Sequence, residues 1–452
     1  MELTWRNAES IQRRGTILEG SEATRYDLAF IEFGEEGSYF DPPQLTVANQ
    51  LIRSRKKPLL FVYLHGWHHN ANPKDRDLAH FNQALRMLAG TMTERDVVGI
   101  YLGWRGEAIP IPVINSLLTY YTRKEAGERL ANNYDCLNAI GSVVGTAHAN
   151  HGRSIVVGHS FGGMVLERAI KSALTDPSPF NGNVILNDSL VVMLNPATES
   201  ILSRQIVDTF NQRIGFDSRR NEYVIRAEAG KAAPRHYARF DQPSVVSITS
   251  QNDKATGMLF PAASWLWQIT HPLRGRQQVN IPATEAQIAA GTQRQTGENG
   301  FFRHTPANES HLHNLTAAKT ATLPQSSLSA FQENLRGKPV AGQLSFLTSA
   351  KGQKQSEGGS VETWNSAPSR TRWILRPENT AQTPYWLIQV PKEIINDHGG
   401  IWNDNSVALL AAIYGMKFPL GPGYSEMRTP APQPQMSTLS VPASVTEAQL
   451  KK

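Results

Sequence analysis

"SIVVGHSFGGMVLERAI", residues 154–170, decides how this chain is read. It opens on Ile155, Val156 and Val157, a β-branched apolar run that suits a strand buried on both faces. Gly158-His159-Ser160-Phe161-Gly162 follows, and a helix-like pattern runs on to about 175. A Gly-x-Ser-x-Gly turn between strand and helix holds the serine hydroxyl exposed at the strand's end. Its glycines relieve crowding, and the helix N-terminus brings free N–H groups and a positive dipole end beside the serine. Alone the pentapeptide is a moderate signal, and an ordinary glycine-flanked loop serine is the alternative. A serine hydroxyl is a poor nucleophile, so a working one needs a base, a group to orient that base, and donors for the developing oxyanion. The rest of the chain is read for those partners.

Similar apolar runs recur around it. "RYDLAFIEF" (25–33), "PLLFVYL" (58–64), "DVVGIYLGW" (96–104), "SLVVMLNPA" (189–197), "PSVVSITS" (243–250) and "YWLIQVP" (385–391) are all expected strands. Helical spacing appears over 77–90, 161–175 and 405–414, and over 123–150 with an expected break near Gly141. Continuous Val/Ile/Leu runs alternating with helices predict an α/β fold with a mostly parallel sheet flanked by helices.

With "GHSFGG" (158–163), "LHGW" (64–67) after an earlier strand, and late Asp and His candidates in the matching chain order, the chain resembles an α/β-hydrolase of the esterase/lipase kind. The resemblance covers roughly 55–260 and 384–415. It implies the α/β-hydrolase fold and hydrolysis through a Ser-His-Asp triad. The organisation that follows is an N-terminal extension with early strands (1–54) and a first core part (55–267). A cap- or lid-like insertion (268–383), rich in Gln, Ser, Thr, Gly and Asn, precedes the second core part (384–427). The Pro- and Ser-rich tail (428–452) is expected to be disordered.

Carried over by position, Ser160 is the expected nucleophile. His398, on the loop between the last strand and the last helix, is the expected base. The orienting acid is expected to be Asp253, in "QND" after the strand 243–250; Glu199, after the strand 189–194, is the competing choice. Asn195 stands where some relatives place the acid but cannot do a carboxylate's electrostatic work. The backbone amides of Trp67 and Phe161 are the expected oxyanion donors. His159, Trp104, Arg105 and Trp402 are candidates for the substrate pocket, with Trp265 and Trp267 as further aromatic walls. His65, His68 and His69 are read as loop or pocket lining rather than metal ligands, because adjacent histidines do not easily face one ion and no cysteine supports them. No metal or organic cofactor is expected.

The chain has 452 residues, 40% of them apolar, enough for a sizeable core. Its net charge is +6, without a dense basic block beyond "RSRKK" (53–57), so no nucleic-acid partner is expected. The single cysteine, Cys136, excludes an intrachain disulfide and fits a reducing compartment. No Sec-type signal and no run of membrane-spanning length is visible. The expected location is the cytoplasm, or outside after export without a Sec signal. The expected substrate is a carboxylic ester, lipid esters included. A phospholipase working at membranes by peripheral contact, such as a secreted antibacterial lipase effector, is the runner-up. A non-catalytic binding module of the same fold is the reading from another class.

Overall fold

The structure is a computed structural model. It describes residues 12–15, 25–92, 94–104, 114–175, 189–217, 222–225, 236–239, 243–262, 279–282, 294–297, 305, 307, 313–323, 333–336, 339–340, 343–349, 370–377 and 384–418. All of them lie in one compact unit, Met1–Pro419.

The strands are β1 (Gln12–Gly15), β2 (Arg25–Glu32), β3 (Leu59–Leu64), β4 (Val97–Gly103), β5 (Arg153–His159), β6 (Ser189–Leu194), β7 (Ile214–Asp217), β8 (Glu222–Ile225), β9 (His236–Arg239), β10 (Val245–Ser250), β11 (Val279–Pro282), β12 (Arg294–Gly297), β13 (Leu315–Leu323), β14 (Pro339–Val340), β15 (Gln343–Ser349), β16 (Arg370–Pro377) and β17 (Tyr385–Val390). The helices used below are α1 (Pro43–Arg53), α2 (Arg76–Thr91), α3 (Ile114–Asn132), α4 (Tyr134–Ala149), α5 (Phe161–Thr175), α6 (Ser200–Arg213) and α7 (Asp404–Lys417).

The central sheet runs β1-β2-β4-β3-β5-β6-β10-β17-β13-β16-β15-β14. From β2 to β17 every pairing is parallel. β13 continues parallel through Leu315↔Ile388, and the strands beyond it pair antiparallel. Part of the 268–383 segment therefore extends the sheet. The fold class is the expected one in its mostly parallel α/β sheet with helices packed on it; the 268–383 segment, expected as a cap- or lid-like insertion, instead contributes β13, β15 and β16 to that sheet among its described residues.

Why both faces are covered can be read along one strand. In β3, Leu60, Val62 and Leu64 enter a buried cluster with Ala48 and Leu51 of α1, Val143 of α4, Val165 of α5 and Ile206 of α6. The alternate residues point to the opposite face. There Phe61 stacks edge-on against Phe81 of α2 and Trp402. Leu59 and Phe61 also line an apolar cavity of about 30 Å³ with Ala84 of α2 and Val407 and Leu410 of α7. A strand flanked this way has no polar face, which explains the unbroken apolar runs.

The expected break near Gly141 is displaced. The helix breaks at Asn133, whose side chain accepts from the Asp135 amide and caps α4. Gly141 lies buried inside α4.

Candidate active site

The C-terminal ends of the parallel strands form one edge, and Ser160, Asp253 and His398 meet there. β5 ends at His159, and Ser160 follows in the left-handed region with φ of +55°. That conformation costs a non-glycine residue on the order of 1–2 kcal/mol. The neighbours hold it: the Ser160 amide donates to the Leu194 carbonyl at 3.1 Å, and its carbonyl accepts from Met164 N at 3.1 Å and Ala197 N at 3.0 Å.

The flanking glycines are required by contact. A Cβ on Gly158 would lie 2.6 Å from the Gly162 carbonyl oxygen. One on Gly162 would lie 2.1 Å from the Leu64 carbonyl oxygen. The turn thus presses directly on the end of β3, and only bare backbone fits.

His398 approaches from the loop after β17. Its Nε2 lies 2.8 Å from Ser160 Oγ, and its Nδ1 lies 2.9 Å from Asp253 Oδ2. With Asp253 ionised and the ring neutral, Nδ1–H donates to the carboxylate and Nε2 accepts from the serine hydroxyl. Asp253 is itself fixed by the turn it starts. Its Oδ1 accepts from the amides of Ala255 and Thr256 at 3.0 and 3.1 Å, and Oδ2 from Thr256 Oγ1 at 2.5 Å. Burial pushes this carboxyl up, but the bonds from His398 and Thr256 outweigh it and hold it below the ordinary carboxylate range. Thr256 has no signal in the sequence beyond being a hydroxyl three residues after an aspartate.

Glu199 sits elsewhere in the bonding pattern. It accepts from Lys124 Nζ at 2.5 Å and Arg168 at 3.2 Å. Burial raises its carboxyl, and the two cations more than reverse this and lower it.

Trp67 and Phe161 come together beside Ser160. Their rings lie 6.1 Å apart, and both pack on Tyr120. Phe161 opens α5, so its N–H has no carbonyl partner one turn back. The loop carrying Trp67 runs against the serine: a Cβ on Gly66 would lie 2.9 Å from Ser160 Cβ.

The three loop histidines have separate partners. His65 is fully buried, with Nδ1 bonded to the Gly66 carbonyl at 2.9 Å and Nε2 accepting from the Trp104 amide at 3.1 Å. His69 bonds Asp75 at 3.0 Å, and His68 stacks on Trp67. Among the described residues, no three His, Cys, Asp or Glu side chains are grouped to hold a metal ion.

Of the pocket candidates, His159 lies against His398, with ring centroids 5.0 Å apart. Trp104 is buried and donates from its indole to the His65 carbonyl, bracing the loop from beneath. Trp402 corrects the expectation. It packs on Phe61, Tyr63 and Phe81 and donates to Asp77, so it belongs to the core layer under α2. Arg105, Trp265 and Trp267 lie outside the described residues. One feature was not anticipated: Met258 and Leu259, on the turn that follows Asp253, are 67% and 68% exposed.

Among the described residues, no helix is long and apolar enough to cross a membrane. No protein-family model matches the chain. No curated protein matches it either. Among solved structures it is similar to phospholipase PlaB from Legionella pneumophila in complex with thio-NAD, at 10% identity over 74% of this chain and 93% of that one, with a TM-score of 0.19. At that score the likeness carries no argument about this chain's chemistry.

Proposed function

We propose that the chain is a serine hydrolase that cleaves carboxylic esters through an acyl-enzyme. One observation carries this reading: a continuous hydrogen-bonded line from Asp253 through His398 to Ser160, at 2.9 and 2.8 Å, ending on a serine held at positive φ. Ser160 Oγ attacks the ester carbonyl carbon while His398 Nε2 takes its proton. The amides of Trp67 and Phe161 receive the oxyanion. Collapse expels the alcohol, which leaves with the proton held by His398. Water, deprotonated by the same nitrogen, then attacks the acyl carbon and frees Ser160. Asp253 holds the imidazole in the required tautomer and stabilises its cation. None of these steps needs a metal or an organic cofactor.

The test is turnover of p-nitrophenyl esters of graded acyl length, with Ser160→Ala as control and a fluorophosphonate as label. Ser160-dependent hydrolysis supports the reading. Absence of both turnover and labelling sinks it and leaves a non-catalytic module.

A second reading, action on lipid esters at a membrane surface, is favoured by the exposed Met258 and Leu259 close to Asp253. It predicts faster hydrolysis of phospholipid in vesicles than of soluble short esters. Preference for soluble esters alone counts against it.

A further inference from the structure

The loop that carries His398 is held by side chains at four consecutive carbonyls. Ser250 Oγ donates to Ile395 O at 2.6 Å, and Asn252 Nδ2 to Asn396 O at 2.6 Å. Asn195 Nδ2 donates to Asp397 O at 3.0 Å and to His398 O at 3.1 Å. His159 Nε2 bonds the same His398 oxygen at 2.8 Å. The four donors stand at the ends of β5, β6 and β10, the strands that also deliver Ser160 and Asp253.

Asn195 is the hub. Its Oδ1 accepts from the Ser250 amide at 2.9 Å, which fixes the orientation of the amide and leaves Nδ2 for the loop. The residue is fully buried, at φ of +44°, a conformation asparagine tolerates better than most. His159 is equally constrained. Its neighbour is a carbonyl, so Nε2 carries the hydrogen, while Nδ1 is buried and without a partner. Of the two ring nitrogens, only Nε2 makes a hydrogen bond, and that bond goes to the His398 carbonyl.

We infer that Asn195 and His159 are positioning residues that act through the His398 carbonyl, locking the backbone so that the imidazole faces Ser160 and Asp253 at once. This deepens the serine-hydrolase reading and rests on it. Neither residue touches the reacting atoms. The need is physical: a small displacement of a base lengthens both of its hydrogen bonds, and positioning errors of about 1 Å cost on the order of 100-fold.

The experiment uses the full chain, three variants for the rates and a fourth, His398→Gln, for assignment. Asn195→Asp keeps shape and removes both donors. His159→Phe removes the donor, and His159→Gln restores one at similar reach. Rates are taken per active site titrated with fluorophosphonate, so loss of folded protein does not register. The expected result is a kcat at least 10-fold lower for Asn195→Asp and His159→Phe with KM within 2-fold, and recovery of most of kcat in His159→Gln. A kcat per site within 2-fold of the parent in both donor-free variants overturns the inference, as does failure of His159→Gln to recover. The proton on His398 Nδ1, assigned by its absence in His398→Gln, gives a readout that needs no turnover. Its downfield resonance is expected in the parent and lost by exchange in Asn195→Asp. Persistence there overturns the clamp even if no ester is cleaved, whereas loss of the resonance in a protein without esterase activity upholds the clamp and sinks only the hydrolase reading.

Discussion

Glu199 gives its carboxylate to Lys124 at 2.5 Å, and His398 takes Asp253 instead. Two acids that follow buried strands thus have separate work. Burial alone pulls Lys124 down, and Glu199 and Glu128 more than reverse this and raise it. Glu199→Gln leaves two cations short of a counter-charge in a buried place, which costs about 3 kcal/mol. The expectation is a destabilised protein in denaturant titration whose kcat per titrated site stays within 2-fold. Asp253→Asn gives the opposite pattern, with kcat down roughly 10³–10⁴-fold and a smaller loss of stability.

Ser160→Ala and His398→Ala remove parts of one unit, so their effects do not add. Each single variant is expected to lower kcat by roughly 10⁴-fold or more, and the double variant by about the same. Independent action would instead make the double variant roughly 10⁴-fold worse than either single.

Gly162→Ala is expected to prevent folding rather than to reduce catalysis. Its methyl group would meet the Leu64 carbonyl oxygen at 2.1 Å and the His65 carbonyl oxygen at 2.6 Å, both of them backbone. Ordinary overpacking costs about 1–3 kcal/mol, and a clash this close with backbone, which cannot rotate away, costs more. Circular dichroism and solubility check it; a folded variant with the parent's melting temperature contradicts the contact.

The fold should weaken between pH 6.5 and 4. His65 and His159 are buried and neutral, and burial pulls each down to about 4. The unfolded chain therefore binds more protons across this window, so stability is full above it and falls as pH drops through it. Each histidine contributes a slope of up to about 1.4 kcal/mol per pH unit. Asp253, held below the ordinary carboxylate range, adds a further loss only at more acid pH. Urea titrations at pH 7, 6, 5 and 4.5 measure the slope, and His159→Gln should flatten it.

How much of this was legible in the sequence depends on what each residue acts through. Ser160 could be read because close backbone approach demands glycines at 158 and 162, and glycines are visible. Asp253 and His398 could be placed by chain order, since each must follow a strand of the same sheet. Their pairing, against Glu199, could not: Lys124 and Arg168 reach Glu199 only through the packing of α3 and α5. Trp402 lies near His398 in sequence yet packs on Phe61 and Tyr63, because sequence nearness does not say which face of the sheet a side chain meets. Asn195 stands out in the sequence only as a missing carboxylate, because its contacts are with the carbonyls of Asp397 and His398, far along the chain.

The order of the sheet also sets when chemistry can begin. Ser160 sits on β5, but His398 arrives only after β17 has docked beside β10. Pairings this distant in sequence form late and slowly. A chain still being synthesised carries its serine without His398 until residue 398 has been added. On the serine-hydrolase reading, activity appears in one step with the docking of β17 and the loop after it, and a chain clipped before His398 is inactive.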